Sequence, residues 1–373
     1  MVEADTSGHA HVAVLVGTRK GLFVVRSDAA RAYWQVEGPH LAGYEIQRAF
    51  LDRRRPGTGY ALAEHPVWGR HVYRSADAGC SWEPLREIPR HHHDEGADSI
   101  RRMWSLAPGA DAEPDTLYAG IEPPGLFVSR DRGESWTPLT AFNAHATRGS
   151  WTPAKGGLAV HSIQVDPHDG RRLFVALSAG GVYRSRDGGR SFEAINAGVR
   201  APYLPDPQAA SGHCVHRILL HPRNPKRLYQ QGHAGTYRSD DAGAHWQDIT
   251  AGLPSDFGYA LASDPGDADS VLVIPENNSQ FRATVDGRIR VFRSRDAGRS
   301  WHDTSDGLPQ QNAYVTILRD GLDSDGLAPC GFYFGTSSGH LFASVDGGDH
   351  WRLLCGFLPG ILSVAACTTG GTP

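Results

Sequence analysis

Six copies of the pattern Ser-x-Asp-x-Gly-x-x-aromatic recur along this chain, and a repeat this regular leaves few architectures open. They begin at Ser75, Ser129, Ser185, Ser239, Ser294 and Ser344. A degraded seventh copy comes first, keeping Ser27 and Trp34 but carrying Ala29 and Arg31 where Asp and Gly belong. Successive serines lie 48, 54, 56, 54, 55 and 50 residues apart. That period matches one four-stranded propeller blade and is too long for a helical-pair repeat. Each copy joins short β-rich runs such as 125–128 and 181–184, so it reads as a hairpin connection. In such a turn the Asp accepts backbone amides, the Gly takes positive φ and the aromatic packs between neighbouring sheets. The expected fold is all-β: one seven-bladed propeller of four-stranded antiparallel blades spanning residues 1–373, with its core at about 12–367.

The repeat starts out of phase. Residues 12–18 match the second strand of a blade, so the first blade lacks its innermost strand, and the apolar run 361–367 has no blade of its own. Pairing that run into the first blade closes the ring and removes two exposed sheet edges.

The repeated pattern resembles the Asp-box, or bacterial neuraminidase repeat. It is found in sialidases, xyloglucanase-type glycoside hydrolases, sortilin-like receptors and photosystem II assembly factors. The resemblance covers essentially the whole chain and implies a sialidase-like or xyloglucanase-like propeller. It leaves enzyme and scaffold both open, because the repeat occurs in each. True sialidases add an Arg-Ile-Pro motif and an arginine triad on six blades, whereas this chain has seven repeats and no Arg-Ile-Pro. The xyloglucanase family works in a cleft between two seven-bladed domains, and this chain supplies one.

A formal net charge of −4 gives no electrostatic case for nucleic acid or an anionic membrane as partner. No stretch approaches the roughly 18 apolar residues of a membrane span, and the opening residues show no basic segment followed by an apolar run. Five scattered cysteines, Cys80, Cys214, Cys330, Cys355 and Cys367, fit a reduced, cytoplasmic setting. No organic cofactor is indicated.

Propeller ligands usually bind on the face opposite the motif-bearing turns, where the innermost strands begin. Counting back five residues from the Asp-Pro-type turns places His161, His216 and Tyr259 in register there, with Arg102, Gln47 and Tyr314 in looser alignment. A second ring, six residues into the next strand, holds Glu122, Ser178 and His233, with Arg19, Glu64, Glu276 and Ser337 more loosely aligned. Three imidazoles, His161, His216 and His233, with Glu122 beside them have the composition of a first shell for one divalent transition metal (Zn, Fe, Cu or Ni). The same residues with Arg102 and Tyr259 also suit acid/base catalysis on an anionic small molecule. Arg19, Glu64, Trp151, Ser178 and Glu276 are the candidate substrate contacts, and Trp68 is a further pocket-wall candidate. The tract from His91 to Glu95 can hold metal, and Cys214 is a candidate ligand or nucleophile. The insertion from Pro275 to Gly287 lengthens one loop on this face and suits a lid or side wall.

The function expected from these rings is an intracellular enzyme, of hydrolase or lyase type, acting on a small polar or anionic molecule, with a metal if the histidines ligate one. A glycoside hydrolase using a carboxylate pair from Glu64, Glu122 and Glu276 is the alternative. A non-enzymatic interaction scaffold is the third.

Overall fold

Runs rich in β-branched and aromatic residues, punctuated by Gly and Asp turns, form strands. In the computed structural model, which describes residues 11–91, 100–153, 157–206 and 209–369, they make seven four-stranded antiparallel sheets arranged as a propeller. The innermost strands of blades 2 to 7 are Glu45–Leu51, Arg102–Pro108, Val160–Asp166, Val215–Leu220, Phe257–Asp264 and Leu322–Ser324. In the first blade that place is taken by Ile361–Thr369, which pairs antiparallel with His11–Thr18 from His11 opposite Thr369 to Thr18 opposite Ile361. Closure by the C-terminal strand is as the phase of the repeat predicts. Among the described residues no helix is long and apolar enough to cross a membrane.

The blades adhere through apolar side chains on both faces of each sheet, as a ring of stacked sheets requires. One cluster joins Leu272 and Ile274 of blade 6 to Phe332, Phe334 and Trp351 of blade 7, and another joins Val14 and Val16 of blade 1 to Tyr333 and Leu341 of blade 7. In three copies the aromatic of the repeated motif adds a directed bond. The indoles of Trp246, Trp301 and Trp351 donate to the carbonyls of Ile195, Ile249 and Thr304 in the preceding blade, at 2.7, 2.7 and 2.9 Å.

All six complete motifs fold into one turn. In blade 4, Ser185 Oγ donates to Asp187 Oδ1 at 2.9 Å and accepts Gly189 N–H at 2.8 Å, while Asp187 accepts the amides of Arg190 and Ser191 and the Ser191 hydroxyl. Gly189 has φ of +87°. The degraded copy builds a related turn with Asp28, which accepts the amides of Ala32 and Tyr33, so the carboxylate has moved one position rather than vanished.

The hydrogen bonds from Ser191 hold the Asp187 carboxyl down at about 2, below its ordinary value near 3.8. A depressed carboxyl stabilises the fold above its unfolded pKa, and that contribution is lost as pH falls towards 2. Asp187→Ala is therefore expected to lower stability by about 1–3 kcal/mol at neutral pH by leaving turn amides unpaired. The difference from wild type should shrink between about pH 4 and 2. Paired chemical melts at pH 7 and pH 3 check this, and equal stabilities at pH 7 would refute it.

Candidate active site at the axial mouth

The site is set by an irregularity repeated in six blades, since in blade 1 the closing strand also slips register and leaves out Leu362. The first two strands of blades 2 to 6 slip register at a β-bulge, and the residues left out of the ladder are Gln47, Trp104, His161, His216 and Tyr259. A bulge bends its strand and re-aims a side chain, and here it does so at one height around the axis. Blade 7 departs from the pattern, because its innermost strand is only three residues long. The chain before it turns at Leu318–Gly321, and the Arg319 guanidinium lies over the Trp104 ring at 5.4 Å and the Tyr259 ring at 5.1 Å. His216 continues the stack, 4.5 Å from Tyr259 between ring centroids. This column links the inner strands of blades 3, 5 and 6 to the turn before blade 7. Below it is a cavity of about 300 Å³ lined by His161, Arg48, Arg217, Asp320 and Asp323, with Asp320 ion-paired to Arg217 and Arg48.

Above the column, the mouth gathers charge. Arg102 bridges two carboxylates, Glu64 at 3.2 Å and Glu45 at 3.3 Å, and stacks on Trp104 at 5.4 Å. Glu64 also accepts the Met103 amide at 2.7 Å, tying blade 2 to blade 3. Glu122, opposite Arg102 in the strand ladder, accepts the Trp104 indole N–H at 2.9 Å. Two carboxyl groups therefore flank the Arg102–Trp104 pair. Their environments differ: burial raises the Glu64 pKa despite Arg102 and Arg70, while Glu122 stays partly exposed. Arg19 lies at the rim, 3.0 Å from Glu45 and largely exposed.

Glu276 is fully buried. Its Oε1 accepts the Ile317 amide at 3.0 Å, the same blade-to-blade tie that Glu64 makes, and its Oε2 is buried without a hydrogen bond. Desolvation pushes this carboxyl up to about 8, against the attraction of Arg282 and Arg319. The insertion packs on the chain before Arg319 through Thr284 N to Val315 O and Thr316 Oγ1 to Arg282 O. The insertion walls the mouth, with Phe281 and Tyr314 in contact at its edge.

Several sequence candidates belong elsewhere. Trp151 is not a pocket wall: it is buried against Phe142, and its indole donates to the Tyr183 hydroxyl at 2.7 Å in the core of blade 4. Ser178 is buried too, donating to the Gly157 carbonyl, and acts as a loop tie. His161 does not join the other two histidines in one group of donors: it lines the lower cavity. His216 and His233 do meet, 5.8 Å between ring centroids, and Cys214 is the third member of their group. His91 packs on Phe127, and 92–95 lie outside the described residues. Trp68 is exposed. Trp104, Arg319 and Glu45 are the residues that register counting misses. For Trp104 the signal was available, since it stands five residues before the turn at Gly109, as His161 does before Asp166.

The chain matches three xyloglucanases among curated proteins. It is 25% identical over 361 residues to the oligoxyloglucan-reducing end-specific xyloglucanase of Emericella nidulans, a match covering 87% of this chain and 42% of that protein. It is 25% identical over 269 residues to a Paenibacillus xyloglucanase, covering 65% of this chain and 24% of that protein. The chain thus spans less than half the length of these relatives. Among solved structures, the GH74 enzyme of Niastella koreensis superposes with a TM-score of 0.63 at 21% identity, covering 99% of this chain and 53% of that one. A YCF48 structure bound to a D1 peptide gives 0.54 at 14% identity, covering 83% of this chain and 81% of that one. These likenesses establish the seven-bladed fold. No family model matches the chain.

Proposed function

We propose that this protein is a glycoside hydrolase that cleaves a soluble oligosaccharide at the axial mouth, with Glu64 as proton donor and Glu122 as general base or nucleophile. The observation that carries this reading is the carboxyl pair on either side of Arg102–Trp104, with burial pushing one pKa up while the other group stays partly exposed. Two carboxyl groups in unlike environments are what glycosidic cleavage needs, one protonated and one ionised. Trp104 supplies an aromatic face beside them, and Trp68, Phe281 and Tyr314 leave large apolar surfaces on the loops around the mouth, 52–74% exposed together with Val67. Similarity to xyloglucanases along most of the chain points to a β-glucan oligosaccharide as the first substrate class to test.

This reading replaces the small-molecule, metal-dependent enzyme expected from the histidines. The repeat is of the Asp-box kind on this account, and its carboxylates, occupied by turn amides, take no part in the chemistry. The experiment is a reducing-end assay over a panel of xyloglucan and cello-oligosaccharides across pH. Glu64 must be protonated to act, so activity is expected to fall as pH rises through its elevated pKa. Glu64→Gln is expected to remove that basic limb along with most of the turnover. No release of reducing ends from any member of the panel would overturn the proposal and favour an interaction scaffold.

A further inference from the structure

Three soft-metal donors meet at the top of blade 5, apart from the carboxyl pair. Cys214 immediately precedes the innermost strand, His216 is that strand's bulged residue, and His233 directly follows the paired strand Leu228–Gly232. The His233 amide donates to the Cys214 carbonyl at 3.0 Å, fixing the two backbones side by side. One donor atom from each of the three side chains lies within 4.8 Å of the others. Cys214 Sγ and His216 Nε2 are 3.6 Å apart. Zinc bonds of about 2.0–2.3 Å in a tetrahedron set neighbouring donors about 3.3–3.7 Å apart, so this pair already has the spacing.

The orientation of His216 supports ligation. Its Nδ1 is 2.6 Å from the Gly258 carbonyl, so Nδ1 carries the proton and Nε2 offers its lone pair toward Cys214. An imidazole that donates its far N–H to a carbonyl is the usual arrangement behind a metal-bound histidine. Phe257 packs against both imidazoles, at 5.2 and 5.3 Å between centroids, and holds their planes. Cys214 and His233 also line a cavity of about 540 Å³, walled by Tyr203, Leu204, Pro205 and Pro153, which gives the group access from outside.

We infer that Cys214, His216 and His233 form a zinc site of the Cys-His-His type, with its fourth position open to this cavity. Three protein ligands and one open position are the composition of a reactive zinc centre rather than a closed structural one. Nothing in the proposed glycosidic cleavage requires this site, so it stands or falls separately.

The full chain purified without a histidine tag is expected to carry about one zinc, and metal-free protein titrated with cobalt(II) should show tetrahedral d–d bands with a thiolate-to-cobalt charge-transfer band. Cys214→Ser should abolish the charge-transfer band, and His233→Asn, at a partly exposed position, should weaken cobalt binding at least about tenfold with the melting transition retained. Zinc far below one equivalent together with no charge-transfer band in the wild-type protein would overturn the inference. So would a band that persists unchanged in Cys214→Ser.

Discussion

Deleting Ile361–Thr369 is expected to abolish the cooperative folding of the whole ring rather than fray one end. Ile361, Ser363, Val364, Ala365 and Cys367 are each no more than 6% exposed, and the strand pairs with His11–Thr18 along its full length. Removing it leaves His11–Thr18 as an unpaired edge and opens the axial side of blade 1. It also takes away the Ala366 amide that donates to Asp323 at 3.0 Å, leaving a half-buried carboxyl in the lower cavity with one partner fewer. The combined loss should exceed about 5 kcal/mol, the low end of a domain's entire stability. Circular dichroism and a thermal melt of the truncated chain would check this. A sharp transition within a few degrees of the full-length protein would contradict closure by this strand.

Glu276→Gln should weaken the loss of stability that the protein suffers as pH rises from about 5 to about 8.5. Folding raises this carboxyl from about 4.5 to about 8, so the folded protein holds a proton there that the unfolded chain releases. A group with a raised folded pKa contributes its full stability below the unfolded pKa, and that contribution is lost as pH rises through the folded one. Wild-type stability should therefore decline from about pH 5 to about pH 8.5. The amide keeps an oxygen for the Ile317 N–H and never ionises. The Gln variant should accordingly lose less over that range and melt above wild type at pH 8.5. Parallel melting profiles for the two proteins across pH 5–8.5 would show that Glu276 is ionised in the fold.

Much of the architecture was legible in the sequence because it is written seven times. The spacing of the motif predicts blade size, and the phase of its first copy predicts the closing strand, both of which depend on local patterns that tertiary packing does not override. The face opposite the motif turns was also legible, and His216, Tyr259 and Gln47 stand in the register that counting from the turns predicts. Counting slipped where blades lose their common punctuation. In blade 3 the first turn opens at Gly109, after Pro108 rather than before a proline, so counting from the proline leads to Arg102 instead of Trp104. In blade 7 the inner strand shrinks to Leu322–Ser324, and neither Tyr314 nor any counting rule leads to Arg319, which a non-repeating turn places on the axis. Histidine convergence was half legible: strand register brings His216 and His233 together, whereas His161 lines the lower cavity.

The proposed chemistry rests on the carboxyl pair beside Trp104, and the turnover of Glu122→Gln tests it most directly. Glu122 is partly exposed and bonded through its side chain to the Trp104 indole, so the amide should fold as wild type does. Initial rates of reducing-end release from a xyloglucan oligosaccharide, measured for both proteins at the optimum pH, should fall about 10²–10⁴-fold in the variant with the melting temperature unchanged. Equal rates for Glu122→Gln and wild type would remove Glu122 from the reaction and with it the active site described at the axial mouth.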